Sequence, residues 1–322
     1  MDTYIDDVTV YEPEELINIE VIAKIERFFG ELENLKNLGY RDVRVASGYT
    51  SVSLAEAAAK KCMQQNDISP DRISTVIYCH FWNDTDWNEL HCFRLHKELG
   101  LTSSTNVFEL KSSNQNSGLH ALQLARKLLL DPTEKDILIV CSDKLDTRYV
   151  QRKMSNGIFG DGAAALRVSR EKSDHSLSLS PLTAHAVSSK YYRLDQYTRD
   201  NEKNITAELD RISSDVLSGL LTQLGGVDGI RQVVTHNLNR RDIERGLAEN
   251  GVDKSIIYQR GIADWGYVPT AGYFINLHGY LMSEDYQSNY QNSKDNGSVL
   301  VWGPALGVNC SACVLDPPGM MN

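Results

Sequence analysis

The feature that most constrains this chain is an order of secondary-structure signals that runs through twice. From Ser51 the pattern predicts a helix over 51–65, a β-branched strand at 73–79 ending at His80 and a helix over 87–99. A strand at 105–110, a helix over 118–130 and strands at 136–141 and 162–168 follow. From Ile205 the same order returns: a helix over 205–224, a strand at 232–235 ending at His236, and a helix over 240–250. Then come a strand at 255–259, a helix over 271–282 and strands at 298–302 and 309–315. The offset is roughly 155 residues, from His80 to His236 and from Gly118 to Gly272. Residue identity between the copies is low, so the repeat rests on pattern. It predicts an α/β chain of two halves, 1–172 and 173–322, whose most apolar helices, 118–130 and 271–282, lie buried between two sheets. The N-terminus of a buried helix collects unpaired N–H groups and positive dipole, where a developing anion is stabilised.

Composition narrows the function classes. The 322 residues carry 33 basic and 43 acidic side chains, a net charge of −10, which argues against a general nucleic-acid binder. No apolar run approaches eighteen residues, and the aspartate-rich start lacks the pattern of a secretory signal, so neither a membrane span nor export is expected. Six cysteines sit mostly within apolar runs, and the Cys310/Cys313 pair has no second pair at zinc spacing. They read as reduced core thiols of a cytoplasmic protein. His91, Cys92 and His96 fall at i, i+1 and i+5 on a helix, a poor metal face, so no metal is expected.

Four stretches carry a resemblance. Phe159-Gly160-Asp161-Gly162-Ala163-Ala164-Ala165 is a glycine turn after the first central helix, and His236-Asn237-Leu238-Asn239 follows a strand. Trp302-Gly303-Pro304-Ala305-Leu306-Gly307 precedes the last strand, and Gly39 to Ala46 holds an early Gly-x-Arg segment. In this order they resemble the thiolase superfamily, and within it the type III ketosynthases (ketoacyl-ACP synthase III). The resemblance implies a duplicated α-β-α-β-α layered fold, a homodimer, and an acyl thioester as substrate. Its arm would be coenzyme A or the phosphopantetheine of an acyl carrier protein, with no other cofactor. It also implies His236 as a catalytic histidine, used as a base, and an oxyanion loop near Gly307.

The departures from that family bear on chemistry. Counting back from Ala121-Leu122 puts Gln115 where the family has its nucleophilic cysteine, and no cysteine lies between Leu101 and Leu130. A slip of one residue would put Asn114 or Asn116 there instead. An amide forms no acyl thioester, so cysteine-based condensation is excluded at that position. Tyr267 stands where the family's second asparagine is expected, and a phenol can donate to a thioester oxygen. Ser112, Ser113 and Ser117 offer another route, because a serine beside a histidine can form an acyl ester, although small polar residues before a helix also serve as caps.

Arg241, just after the histidine motif, is implied as the docking point for an acidic carrier, against a plain solvated helix face paired with Asp242 and Glu244. His80 occupies the place in the first half that His236 holds in the second, followed by an aromatic-rich loop. The expectation is a cysteine-free acyltransferase or decarboxylase of specialised or fatty-acid-related metabolism. The other reading is a catalytically silent homologue that supports an active subunit.

Overall fold

The computed structural model describes residues 2–317 apart from 83, 85–87, 112, 149, 155, 192–195, 197–199, 239 and 292–296. Trp87, Ser112 and Asn239 therefore lie outside the described residues. The repeated order of elements is present. The first copy is helix Ser51–Gln65, strand Ile73–Cys79, helix His91–Glu98, strand Asn106–Leu110, helix Ser117–Leu128 and strands Asp136–Asp143 and Gly162–Ser169. The second is helix Glu202–Gln223, strand Ile230–Val234, helix Arg240–Glu249, strand Ile257–Tyr258, helix Gly272–Leu281 and strands Ser298–Ala305 and Asn309–Asp316.

Each copy is led by a strand that the pattern did not single out, Tyr4–Tyr11 in the first and Leu177–Val187 in the second. These two strands join the halves. They pair with each other antiparallel, and the ten strands then run in mirrored order outward from that seam. The seam is short, with Tyr4 opposite Ser178 and Ile5 opposite Leu177. The pairing of Leu177–Val187 with Asn309–Asp316 carries a register shift between Leu179 and Thr183.

Side-chain alternation along the strands builds the layers. On strand Ile73–Cys79, Ile77 and Cys79 face the central core, while Val76 and Tyr78 face the outer helices Ser51–Gln65 and His91–Glu98. On strand Ser298–Ala305, Val299 and Val301 face inward, and Leu300 and Trp302 meet the outer helix Glu202–Gln223. The central layer holds both buried helices, with Leu119, Leu122 and Ala125 of one against Phe274 and Leu277 of the other. The strands are therefore apolar on both faces, which is why they read as continuous β-branched runs. The result is the layered α-β-α-β-α arrangement of the thiolase-like fold. Among the described residues no helix is long and apolar enough to cross a membrane.

Candidate functional site

Two short segments meet at the N-terminal end of the first central helix. One is the single 3-10 turn Asn114–Asn116, which leads directly into helix Ser117–Leu128. Asn114 is held at φ 50°, a left-handed conformation that asparagine tolerates better than most residues. Opposite lies the turn Leu306–Val308, where Gly307 has φ 82° and Val308 φ 45°. Positive φ at a β-branched valine is costly and persists only when the surroundings fix it. They do: Asn114 Nδ2 and Asn309 Nδ2 both donate to the Leu306 carbonyl, at 2.9 and 2.7 Å. The Leu306 N–H donates in turn to Gln115 Oε1, at 2.9 Å.

Gln115 is fully buried. Its carbonyl oxygen is used by Leu306, while its amide nitrogen Nε2 makes no hydrogen bond. The hydroxyl of fully buried Tyr267 is likewise unpartnered. The two are neighbours, and burial pushes the Tyr267 phenol well above its ordinary pKa. Two unsatisfied buried donors side by side are costly in a core and useful in a site that receives an oxygen atom.

His236 follows strand Ile230–Val234 and is also buried. Its tautomer is fixed by partners that can play one role only. The Leu238 N–H donates to Nδ1 at 3.1 Å, so Nε2 carries the proton and donates to the Pro304 carbonyl at 2.7 Å. Burial lowers its pKa to about 4, which keeps the ring neutral. The base role expected from the sequence does not suit this arrangement, because the one basic nitrogen is occupied by a backbone N–H. His236 is instead a neutral N–H donor. Its ring lies edge-on to Tyr267 and Tyr273, with centroids 5.5 and 5.3 Å away. Tyr273 donates to Asn116 Oδ1 at 2.7 Å, and Asn116 Nδ2 donates to Asn309 Oδ1 at 2.7 Å.

Gln115, Tyr267, His236 and the loop at Gly307 are thus drawn to one place. Gln115 and His236 both grip the 304–306 segment, from opposite halves of the chain. The Phe159-Gly160-Asp161-Gly162 turn braces Tyr267: Gly160 N–H donates to the Tyr267 carbonyl and Tyr267 N–H to the Ile158 carbonyl, at 2.9 and 2.8 Å. A Cβ at Gly160 would stand 1.8 Å from the Trp265 carbonyl oxygen, so the close crossing requires glycine. Asp161 is structural, binding Arg152 twice, at 3.0 and 2.7 Å, and accepting from the N–H groups of Ala46 and Leu145. Arg152 was not picked out from the sequence.

The serines separate. Ser117 Oγ is buried without a partner. Ser113 Oγ lies 2.5 Å from Nδ1 of His120, a histidine the sequence reading passed over, and His120 Nε2 is 3.0 Å from His185 Nδ1 and 2.9 Å from Ser311 Oγ. A serine seven residues before a histidine at a helix start was the signal available. Burial, then His185, lowers the His120 pKa to about 4, so its ring is neutral, and in the Nε2–H tautomer it accepts from the Ser113 hydroxyl. The cysteine thiols offer no substitute nucleophile. Cys141 packs against Gly118 at the helix start, but burial holds its thiol well above the ordinary range. Arg241 is exposed on helix Arg240–Glu249. Its neighbours pair, Arg240 with Glu244 and Arg245 with Asp210 and Asp242, whereas Arg241 makes no ion pair among the described residues.

Comparison with known proteins agrees with this architecture. A family model described as 3-oxoacyl-[acyl-carrier-protein (ACP)] synthase III matches residues 112–185, the stretch holding the first central helix and the glycine turn. The β-ketoacyl-[acyl-carrier-protein] synthase III of Aquifex aeolicus is 22% identical over 86% of this chain and 90% of its own. Among solved structures, the acyltransferase ChlB3 superposes with a TM-score of 0.83 at 17% identity, covering 98% of both chains. The priming β-ketosynthase of the R1128 polyketide pathway superposes with a TM-score of 0.78 at 19% identity, covering 98% of this chain and 97% of its own. In fold, and in sequence over part of its length, the chain is similar to the 3-oxoacyl-[acyl-carrier-protein] synthase III proteins.

Proposed function

We propose that the chain acts on an acyl or malonyl thioester, offered on coenzyme A or a carrier protein, without a cysteine acyl-enzyme. The observation that carries this reading is the convergence of buried hydrogen-bond donors from both halves: the free Gln115 amide, the Tyr267 hydroxyl and the Nε2–H of His236. Donors aimed at a thioester oxygen stabilise the negative charge that appears there, and none has to lose a proton. Decarboxylation suits such a set. The bond between the malonyl carboxylate and the α-carbon breaks, its electron pair becomes the thioester enolate held by these donors, carbon dioxide leaves, and the enolate takes a proton. His236 joins by turning its N–H from Pro304 to the enolate oxygen.

A second reading, acyl transfer through serine, is favoured by the 2.5 Å Ser113–His120 contact. There the Ser113 oxygen bonds to the acyl carbon, its proton passes to His120 Nδ1, and the thiolate leaves with that proton. Arg241 is the exposed cation for an acidic carrier. Homodimer formation draws support from the edge strand Asn106–Leu110 with Phe108 exposed, beside exposed Leu90 and Phe93.

The test is to incubate the protein with malonyl- and acetyl-thioesters of coenzyme A and carrier protein, and to follow substrate and protein by mass spectrometry. Loss of carbon dioxide from the malonyl thioester with unmodified protein is the expected result, and Gln115→Ala should slow it roughly 100-fold in protein that circular dichroism shows to be folded. An acylated protein whose label is lost in Ser113→Ala selects the serine route. Inertness toward every donor and acceptor removes both, and leaves a silent structural partner.

A further inference from the structure

We infer that His80, His91 and Glu109 form a binding site for a divalent first-row transition cation of the zinc class. The three come from different elements: His80 from the end of strand Ile73–Cys79, His91 from the first position of helix His91–Glu98, and Glu109 from strand Asn106–Leu110. Their ligand atoms all lie within 4.8 Å of one another. The site is at the C-terminal ends of two neighbouring parallel strands, where α/β sheets gather ligands. The spacing of His91, Cys92 and His96 along one helix gave no hint of it, because the other two ligands arrive from the sheet.

Hydrogen-bond accounting points to a cation. His80 Nδ1 is 2.7 Å from the Trp82 carbonyl oxygen, which can only accept, so Nδ1 carries a proton. In the neutral ring Nε2 is then a bare lone pair, yet it lies 2.8 Å from Glu109 Oε1. A contact this short requires a positive charge between the two atoms, either a proton on Nε2 or a bound cation. His91 Nδ1 stands on the other side of the carboxylate, 3.6 Å from Oε2. Adjacent ligand atoms around tetrahedral zinc are about 3.3 Å apart, a distance these two contacts bracket.

The supporting shell also fits. A ligating imidazole usually donates its second N–H to a carbonyl, as His80 does to Trp82. The Tyr78 ring stacks flat on His80, centroids 4.8 Å apart, and fixes its plane, while His91 stands perpendicular to it at 5.2 Å. His80 is wholly buried, and the Glu109 side chain is 38% exposed in the single chain. Two imidazoles and one carboxylate suit zinc, cobalt or iron better than magnesium or calcium, which take oxygen ligands.

The experiment strips the intact protein with a chelator, then titrates it with Zn2+ by calorimetry and with Co2+ by visible absorption, which reports nitrogen coordination. One equivalent should bind to the wild type and to His96→Ala, a change elsewhere on the same helix. His91→Ala and Glu109→Gln should each abolish stoichiometric binding while circular dichroism and melting show the fold retained. A wild type that takes up no stoichiometric cation overturns the site and leaves His80 and Glu109 bridged by a proton. Binding undiminished in both variants overturns it as well. Neither readout depends on thioester chemistry, so this inference and the proposed function fail separately.

Discussion

His80 and His236 occupy the same place in the two halves, just after strands Ile73–Cys79 and Ile230–Val234, and both are buried. Their surroundings are opposite. His236 meets backbone only, an N–H at Nδ1 and a carbonyl at Nε2, and burial holds it neutral. His80 meets a carbonyl and a carboxylate, and stands in one cluster with His91 and Glu109. One copy of the unit has placed a neutral donor at this position and the other a charge-bearing cluster. Duplication fixed where the imidazoles stand, and the neighbouring strand decided what each can do. Glu109 on strand Asn106–Leu110 has no acidic counterpart on the two-residue strand Ile257–Tyr258, which fills the same place in the second half.

The largest test of this contrast is to cut the link between the halves. Asp143 is buried, and its carboxylate accepts from Phe81 N–H at 2.7 Å in the first half and from Thr270 N–H and Oγ1 at 2.6 and 2.7 Å in the second. Asp143→Ala would strand the N–H groups of Phe81 and Thr270 and leave Thr270 Oγ1 only its 3.3 Å contact with the Cys79 carbonyl, and should cost about 4 kcal/mol in chemical denaturation, since each unsatisfied buried donor costs about 1–3 kcal/mol. A loss under 1 kcal/mol would mean the halves do not depend on this residue.

Next in size is the pH response of His236. Its pKa is about 4 in the folded chain, against about 6.5 unfolded, so between those values the unfolded chain binds a proton that the folded chain refuses. Its contribution is complete above pH 6.5 and is lost as pH falls toward 4, by about 3 kcal/mol. Burial raises the Asp143 pKa to about 6, and that group works in the opposite sense over the same range. The measurement is therefore a difference: the stability margin of the wild type over His236→Asn should shrink by that amount on acidification, with the Asp143 effect cancelling. A margin that stays flat with pH would place His236 among ordinary exposed histidines. The smallest effect is expected at Tyr273→Phe, which removes the 2.7 Å bond to Asn116 at the shared wall of the site. About 1–2 kcal/mol should be lost, read as a fall in melting temperature.

Much of the fold was legible because both faces of each strand are buried, so that runs such as ISTVIYC and DILIVC carry their own signature. The two leading strands were not. Tyr4–Tyr11 is broken by aspartates at 6 and 7, and Leu177–Val187 alternates with serine and threonine, so neither looks like an interior strand. Asp6 is tolerated inside because Arg167 and Ser173 bind it, at 3.0 and 2.8 Å, partners more than 160 positions away. Helix ends were misjudged where caps lie in loops: the helix expected from residue 87 starts at His91, after Leu90, which gives no side-chain cap.

The sequence by itself determined the duplicated order of elements, the absence of a cysteine at the mouth of the first central helix, and the positions of Gln115, His236 and Tyr267. Those follow from local patterning and residue identity, which a chain carries without folding. Only the tertiary structure decided that His236 donates from Nε2 and accepts at Nδ1, that Ser113 meets His120, and that His80, His91 and Glu109 share one spot. Each of those facts is a contact between residues on separate elements. Which atom faces which depends on how strands, helices and turns are packed, and no periodicity along the chain records that.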